Sequence, residues 1–320
     1  MNSTTLGVAE AARRVTEAAE HVYIDDEQIA QFCASVPDGK LPVPPWDDTL
    51  HYGDGTWRTA NYVLVLDALN FCFWPDPDDA PWQVEYKGQR WGGYMALTAA
   101  LRRAIEEGVP VTEAAWLAAV TQADVERLLA GRQGRIPMLE QRVAHLQEVG
   151  RVLTERWDGR FSNLVEAVEH DAVALASRVA EEFSSFNDVA EWRGQRVPLF
   201  KRAQILAVDL FGSLAGQQWG NLRRLDELTA FADYKVPQVL RRLKILHYMP
   251  ELADIVDRQM LIPAGDRREV EIRCATVEAV ERIKTRLKAR SFEIDWYLWN
   301  VGQTPSLDDR PYHRTRTIYY

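Results

Sequence analysis

The sequence predicts a mainly α-helical protein, an array of helices carrying a small β-hairpin. Three observations predict it. Apolar residues recur at helical spacing in segment after segment, and the breaks between segments are short and rich in Gly and Pro. One stretch, Gln83 to Tyr94, instead alternates about a Lys87-Gly88 turn. At 320 residues and 47% hydrophobic, the chain can bury a large core. It fits one compact domain or two closely packed lobes, about 1–190 and 191–320, with a site between them.

Ala12, Val15, Ala19 and Val22 mark a first helix over Ala9 to Val22, and Asp25-Asp26 offer the cap of a second helix through Val36. Pro42 to Trp57 is an irregular loop, rich enough in aromatic side chains to be packed down. Thr59 to Trp74 reads as a nearly all-apolar helix, buried nearly all round. After the hairpin come helices over Tyr94 to Glu107, Thr112 to Val120, Thr121 to Ala130, Met138 to Trp157 and Ser162 to Phe183, with Thr112 and Thr121 placed to cap. Trp192 to Leu199 is irregular, and Phe200 to Leu214 resumes as a helix. A helix ending near Asp233 and another starting near Pro237 follow from the backbone restrictions of proline. Val239 to Leu246, Pro250 to Met260 and Val277 to Ala289 are helical, and Val270 to Arg273 is a short strand candidate. A chain ending Tyr319-Tyr320 is expected to dock rather than fray.

The formal charge of −9 argues against a surface that coats nucleic acid. Basic charge is nonetheless local: Phe200 to Lys244 carries eight Lys/Arg against four acids. Three cysteines far apart fit reduced thiols in a cytosolic protein. No signal pattern opens the chain and its longest apolar run, Tyr62 to Leu66, is too short to span a membrane, so a cytoplasmic, membrane-free protein is expected. The six histidines lack metal-ligand spacing, and no metal site is expected. Gly-rich nucleotide loops and the GxSxG elbow are missing, which leaves nucleoside triphosphate, dinucleotide and serine-hydrolase readings without a motif.

The stretch from Leu228 to Leu240 gathers the features of a site: Asp233 between Phe231 and Tyr234, Lys235 beside them, and Pro237 breaking the backbone. Asp295 is the other acid embedded in apolar sequence, next to Trp296, Tyr297 and Trp299. Burial raises a carboxyl pKa and a nearby cation lowers it, so either acid is tunable as a base, a charge stabiliser or an acceptor for a heterocycle edge. Aromatic walls suit a flat heteroaromatic ligand. The same residues also fit a plain turn, with Phe231 in the core and Asp233 capping the next helix. Lys201, Arg202, Arg314 and Arg316 are phosphate candidates or solvated surface charges.

LNFCFW (Leu69 to Trp74), RWGGY (Arg90 to Tyr94), FKRAQILAVD (Phe200 to Asp209), FADYKVPQVL (Phe231 to Leu240), GDRREVEIR (Gly265 to Arg273), DWYLW (Asp295 to Trp299) and PYHRTRTIYY (Pro311 to Tyr320) occur in this order. Together they resemble the queuosine salvage proteins, which are queuosine 5′-phosphate N-glycosylases. The resemblance implies a helical fold similar to helix-hairpin-helix DNA glycosylases with an elaborated N-terminal part. It implies hydrolysis of queuosine 5′-monophosphate to queuine and ribose 5-phosphate, the queuine being reused by a tRNA-guanine transglycosylase, and it implies no metal or organic cofactor. Carried over by residue, Phe231 and Asp233 form the base-recognition pair, with Tyr234 beside them. Asp295 is the nucleophile or oxocarbenium stabiliser, and Trp296 and Trp299 help wall the pocket. Lys201, Arg314, Arg316 and Tyr319 are placed near the phosphate by charge, and His51 and Phe71 are further pocket candidates. Members of that family can carry a second acid just after the stretch corresponding to DWYLW, where the chain has Asn300. The missing Gly-containing hairpin loop and the negative charge favour a mononucleotide over a duplex, so no stable nucleic-acid binding is expected. The alternatives are a non-catalytic queuine carrier and a glycosylase of modified bases in nucleic acid.

Overall fold

The computed structural model describes residues 5–320. Helix α1 (Val8–Glu17) is followed by strand β1 (Val22–Ile24) and α2 (Asp26–Ser35). The first predicted helix therefore stops early, at Glu17, and its expected last residue, Val22, opens a strand instead. Asp25 caps α2 as expected, accepting the N–H groups of Glu27 and Gln28. The loop over residues 40–56 leads into α3 (Trp57–Ala68), whose side chains from Thr59 to Ala68 are all buried. The hairpin is formed by β2 (Gln83–Tyr86) and β3 (Gln89–Gly92), with Lys87 and Gly88 both at positive φ as a two-residue turn requires.

Helices α4 (Gly93–Glu106), α5 (Ala114–Ala119), α6 (Gln122–Leu128) and α7 (Leu139–Arg156) follow. Thr121 closes a capping box with Asp124. Thr112 does not cap; Glu113 holds that position. The long helix expected over Ser162 to Phe183 is two, α8 (Phe161–Ala167) and α9 (Ala172–Glu182), because Glu169 and His170 turn with positive φ between them. The segment expected to be irregular is instead a second hairpin, β4 (Val189–Trp192) and β5 (Gln195–Pro198), turning at Arg193-Gly194.

Helix α10 (Lys201–Ser213) leads through turns and two short 3-10 helices (Gln218–Gly220 and Leu225–Glu227) to a stretch without regular structure up to residue 233, and then α11 (Lys235–Arg242). The helix expected to end at Asp233 does not form. Pro237 lies in the first turn of α11, where a missing N–H breaks no helical bond. Strand β6 (Leu246–Tyr248) pairs antiparallel with β1 and ties the N-terminal segment to the second half of the chain. Helices α12 (Pro250–Asp257), α13 (Arg267–Arg286) and α14 (Ser291–Val301) complete the array. Val270 to Arg273, expected as a strand, lies within α13, where a central helix buries all its faces.

One core packs α1 and α3 through α10 with Phe231, Val270 and Phe292; a second packs α2 with α11 through α14. The terminal segment docks: Tyr320 is 2% exposed and its carbonyl accepts the N–H of Cys72. Among the described residues no helix is long and apolar enough to cross a membrane.

Candidate functional site

A cavity of about 520 Å³ lies where α4, α10 and α14 meet the loops around residues 46, 71 and 231. Each element contributes a face set by its period. From α10, Lys201, Ile205 and Asp209 project inward at i, i+4, i+8 spacing, and from α14, Asp295, Trp296 and Trp299 line it at i, i+1, i+4.

The wall at Phe71 depends on how α3 ends. The helix stops at Ala68, six residues short of its expected end, and the chain leaves it by an irregular turn with Cys72 at φ 40°. Its freed carbonyls are taken by buried donors from distant segments. The Arg202 guanidinium donates to the carbonyls of Asp67 and Ala68 (2.9 and 2.6 Å), and His145 Nδ1 donates to that of Ala68 (3.0 Å). Arg142 donates to the carbonyls of Leu69, Phe71 and Cys72 at 2.5–3.0 Å. Both guanidiniums also face the Phe71 ring, 4.2 and 5.2 Å from its centroid. Buried carbonyls of a broken helix would otherwise be costly.

The stretch carrying Phe231 and Asp233 is held at three points. The Phe231 N–H donates to Asp295 Oδ2 (2.9 Å), Arg273 Nε donates to the Ala232 carbonyl (2.9 Å), and Asp233 Oδ1 accepts the N–H groups of Lys235 and Val236 (2.8 and 2.9 Å). Asp233 thus caps α11 and faces the cavity at the same time. Arg273 is itself fixed by Asp188, whose carboxylate accepts from both terminal guanidinium nitrogens (3.0 and 2.5 Å) and from the Lys201 N–H (3.1 Å). One buried ion pair therefore sets both the base of α10 and the Phe231 to Asp233 stretch.

The electrostatics separate the two acids. Burial raises the carboxyl pKa of both Asp233 and Asp295. For Asp233, Lys201 and the two backbone N–H groups oppose the rise. Asp295 is pushed well above the ordinary range, because the charge of Asp233 adds to burial. Asp233 is the one favoured to ionise and Asp295 the one favoured to hold its proton. Burial in turn lowers the ammonium pKa of Lys201, against the pull of Asp233, Asp67 and Asp295.

His51 is 5% exposed, and its tautomer follows from its partners. Nδ1 lies 2.9 Å from the Asp47 carbonyl and so carries the hydrogen, which leaves Nε2 to accept from Tyr94 Oη at 2.9 Å. Burial pulls the imidazole down to about 4, so it is neutral at pH 7. The Trp46 ring packs 4.0 Å from it, and Tyr94 meets Trp299 edge to face at 5.7 Å.

The cavity brings together Phe231, Asp233, Tyr234, Asp295, Trp296, Trp299, His51, Phe71 and Lys201. Arg314, Arg316 and Tyr319 do not line it. Arg316 stacks on Trp74 and pairs with Asp76 at 2.5 Å, and Arg314 donates to Gln259. Lys235 lines the cavity beside Lys201, so the wall cations are two lysines rather than the terminal arginines. Trp46, Tyr94 and Asp209 also line it and were not singled out from the sequence. The i+8 spacing from Lys201, two helical turns along one face, was the available signal for Asp209. Asn300 lines the wall and donates its side-chain amide to the Trp296 carbonyl (2.7 Å). Among the described residues no group of His, Cys, Asp and Glu is arranged to hold a metal ion.

Comparison with known proteins adds a relation to this geometry. Residues 50–320 match the model of a family described as queuosine salvage protein. The chain is 48% identical over 320 residues to the queuosine 5′-phosphate N-glycosylase/hydrolase of Sphaerobacter thermophilus, covering 98% of each chain. It is 35% identical to the protein of the same name from Bos taurus, covering 97% of this chain and 98% of the bovine one. With the one from Dictyostelium discoideum it shares 34% identity over the full length of both.

Proposed function

The chain belongs to the queuosine salvage protein family, and from that membership we propose that it hydrolyses the N-glycosidic bond of queuosine 5′-monophosphate, releasing queuine and ribose 5-phosphate. The observation that carries the reading is the pairing of two buried acids of unequal proton affinity in an aromatic-walled cavity that also holds lysines.

The Phe231 ring stacks on the 7-deazaguanine. Asp233, ionised and with Oδ1 committed to α11, accepts the N–H groups of the guanine-like edge through Oδ2. Lys201 and Lys235 receive the phosphate. Asp295 stands at the glycosidic bond with Oδ2 tied to the Phe231 N–H, so its proton sits on Oδ1. As the bond to the base breaks, positive charge grows on the ribose. That charge lowers the Asp295 pKa, and the proton passes to the departing base. The carboxylate left behind stabilises the oxocarbenium ion. Water then adds to the anomeric carbon and its proton returns to Asp295. His51, neutral and held between Asp47 and Tyr94, shapes the wall and carries no proton in this scheme.

The test is chromatographic detection of free queuine from queuosine 5′-monophosphate, with queuosine nucleoside and guanosine 5′-monophosphate run alongside. Release from the monophosphate, and a loss of turnover of about a hundredfold or more in Asp295→Asn, is the expected outcome. Tight queuine binding without release from any substrate would make the protein a carrier. Wild-type turnover in Asp295→Asn would remove that residue from the mechanism.

A further inference from the structure

We propose that Asp209 is a specificity-determining residue that receives the cationic amine carried on the base of the substrate. This rests on the reading of the site as a queuosine 5′-monophosphate hydrolase. Asp209 lines the cavity yet is 2% exposed, and its Oδ2 has no hydrogen-bond partner among the described residues. Behind it Asp67 of α3 is fully buried, and its Oδ2 is likewise unpartnered. A buried carboxyl left without a partner is expensive in a folded protein, and two adjacent ones more so. A ligand that brings a cation supplies the missing partner.

The charge balance of the walls points the same way. Asp47, Asp209, Asp233 and Asp295 face the cavity against only Lys201 and Lys235. A purely anionic nucleotide would occupy the two lysines and leave Asp209 Oδ2 without a partner. Queuine differs from guanine in bearing, on the carbon where guanine has N7, a methylene joined to a secondary amine, which is protonated at neutral pH. A phosphate at one end and an ammonium on the base match walls that carry both signs.

Position fits as well. Lys201 and Asp209 lie on the same helix, two turns and about 12 Å apart along its axis, and both face the cavity. A phosphate received at Lys201 and an amine received at Asp209 therefore fall at separate places along one helix. In 7-deazaguanine the bond to ribose and the amine arm both leave the five-membered ring, away from the edge that Asp233 reads. With that edge on Asp233, the arm is free to meet another wall, where Asp209 Oδ2 is the buried acceptor without a partner.

The test compares kcat/KM of the full chain on queuosine 5′-monophosphate and on 7-deazaguanosine 5′-monophosphate, which lacks the arm. The parent should prefer the amine-bearing nucleotide, and Asp209→Asn should shrink that preference by about ten- to a hundredfold, chiefly through KM. An unchanged preference in a folded Asp209→Asn protein overturns the proposal. Should that variant not fold, the parent is given queuosine 5′-monophosphate acetylated on the amine: a comparable loss supports the proposal, and undiminished turnover overturns it. Should the parent release base from neither nucleotide, the hydrolase reading fails by itself. Calorimetry of free queuine against 7-deazaguanine then decides on Asp209, equal affinity overturning its role.

Discussion

Replacing Arg273 with Met should damage both stability and catalysis, although Arg273 does not line the cavity. The guanidinium is 2% exposed, pairs with Asp188 through two nitrogens, lies 3.5 Å from Glu269 Oε1 and donates to the Ala232 carbonyl. Removing it leaves Asp188 and Glu269, 1% and 2% exposed, without their cation. Breaking a buried ion pair from one side costs about 3–5 kcal/mol, with about 1 kcal/mol more for the lost bond to Ala232. The carboxylate also fixes the Lys201 N–H, so kcat/KM should fall with stability. The decisive form is a double-mutant cycle in urea denaturation with Asp188→Asn. Asn leaves no charge to strand, so the double variant should be less destabilised than the two single losses summed, by about 2 kcal/mol. Strict additivity, or Arg273→Met unfolding at the parent's urea concentration, would refute the argument that one buried pair organises both segments.

Three further outcomes are expected. Asp233→Asn should raise KM for the nucleotide about tenfold or more in steady-state kinetics, because it removes an ionised acceptor from the base edge. His145 is held to about 4 by burial, aided by the charge of Arg202, against 6.5 in the unfolded chain. Above pH 6.5 it is neutral in both states and contributes no pH dependence. As pH falls toward 4 the unfolded chain takes up a proton that the folded one refuses, so stability drops by about 3 kcal/mol, and His145→Gln should show a shallower loss in denaturation at pH 7, 5.5 and 4. Gly212 lies where an added Cβ would be 3.0 Å from the Trp46 ring and 3.4 Å from Trp296. Gly212→Val should displace both rings, lowering kcat/KM about tenfold and shifting tryptophan fluorescence, with a stability loss of about 1–3 kcal/mol.

The residues that line the cavity were more legible in the sequence than the contacts that hold them. Asp233, Lys235 and Phe231 stand together in sequence, and helical periodicity found most elements. Misreadings fell where long-range partners override local pattern. Val270 to Arg273 alternates like a strand, but α13 is surrounded, and its buried charges Glu269 and Arg273 are satisfied by Tyr320 and Asp188. Composition could not show that α3 ends at Ala68, because Leu69 to Trp74 is as apolar as the helix before it. What stops the helix is the demand of Arg142 and Arg202 for its carbonyls. Arg193-Gly194 carried the same turn chemistry as Lys87-Gly88, but its short strands lack a clear alternation. Arg316 showed the limit of charge logic: its partners are Asp76 and Trp74, and neither is near it in sequence.

The way α3 ends also governs when in folding the cavity comes into being. The turn at Phe71 is closed by Arg142, by Arg202 and by the carbonyl of Tyr320, the last of these 248 positions away from Cys72. Contacts of such separation form late, after local helices have collapsed and most chain entropy has been lost. A nascent chain that has made α3 through α10 but not α14 can assemble most of its first core while the aromatic walls still lie open to water. Such intermediates are the aggregation-prone species of large helical proteins. A nucleotide that binds only the finished cavity therefore pulls the final docking step forward by mass action.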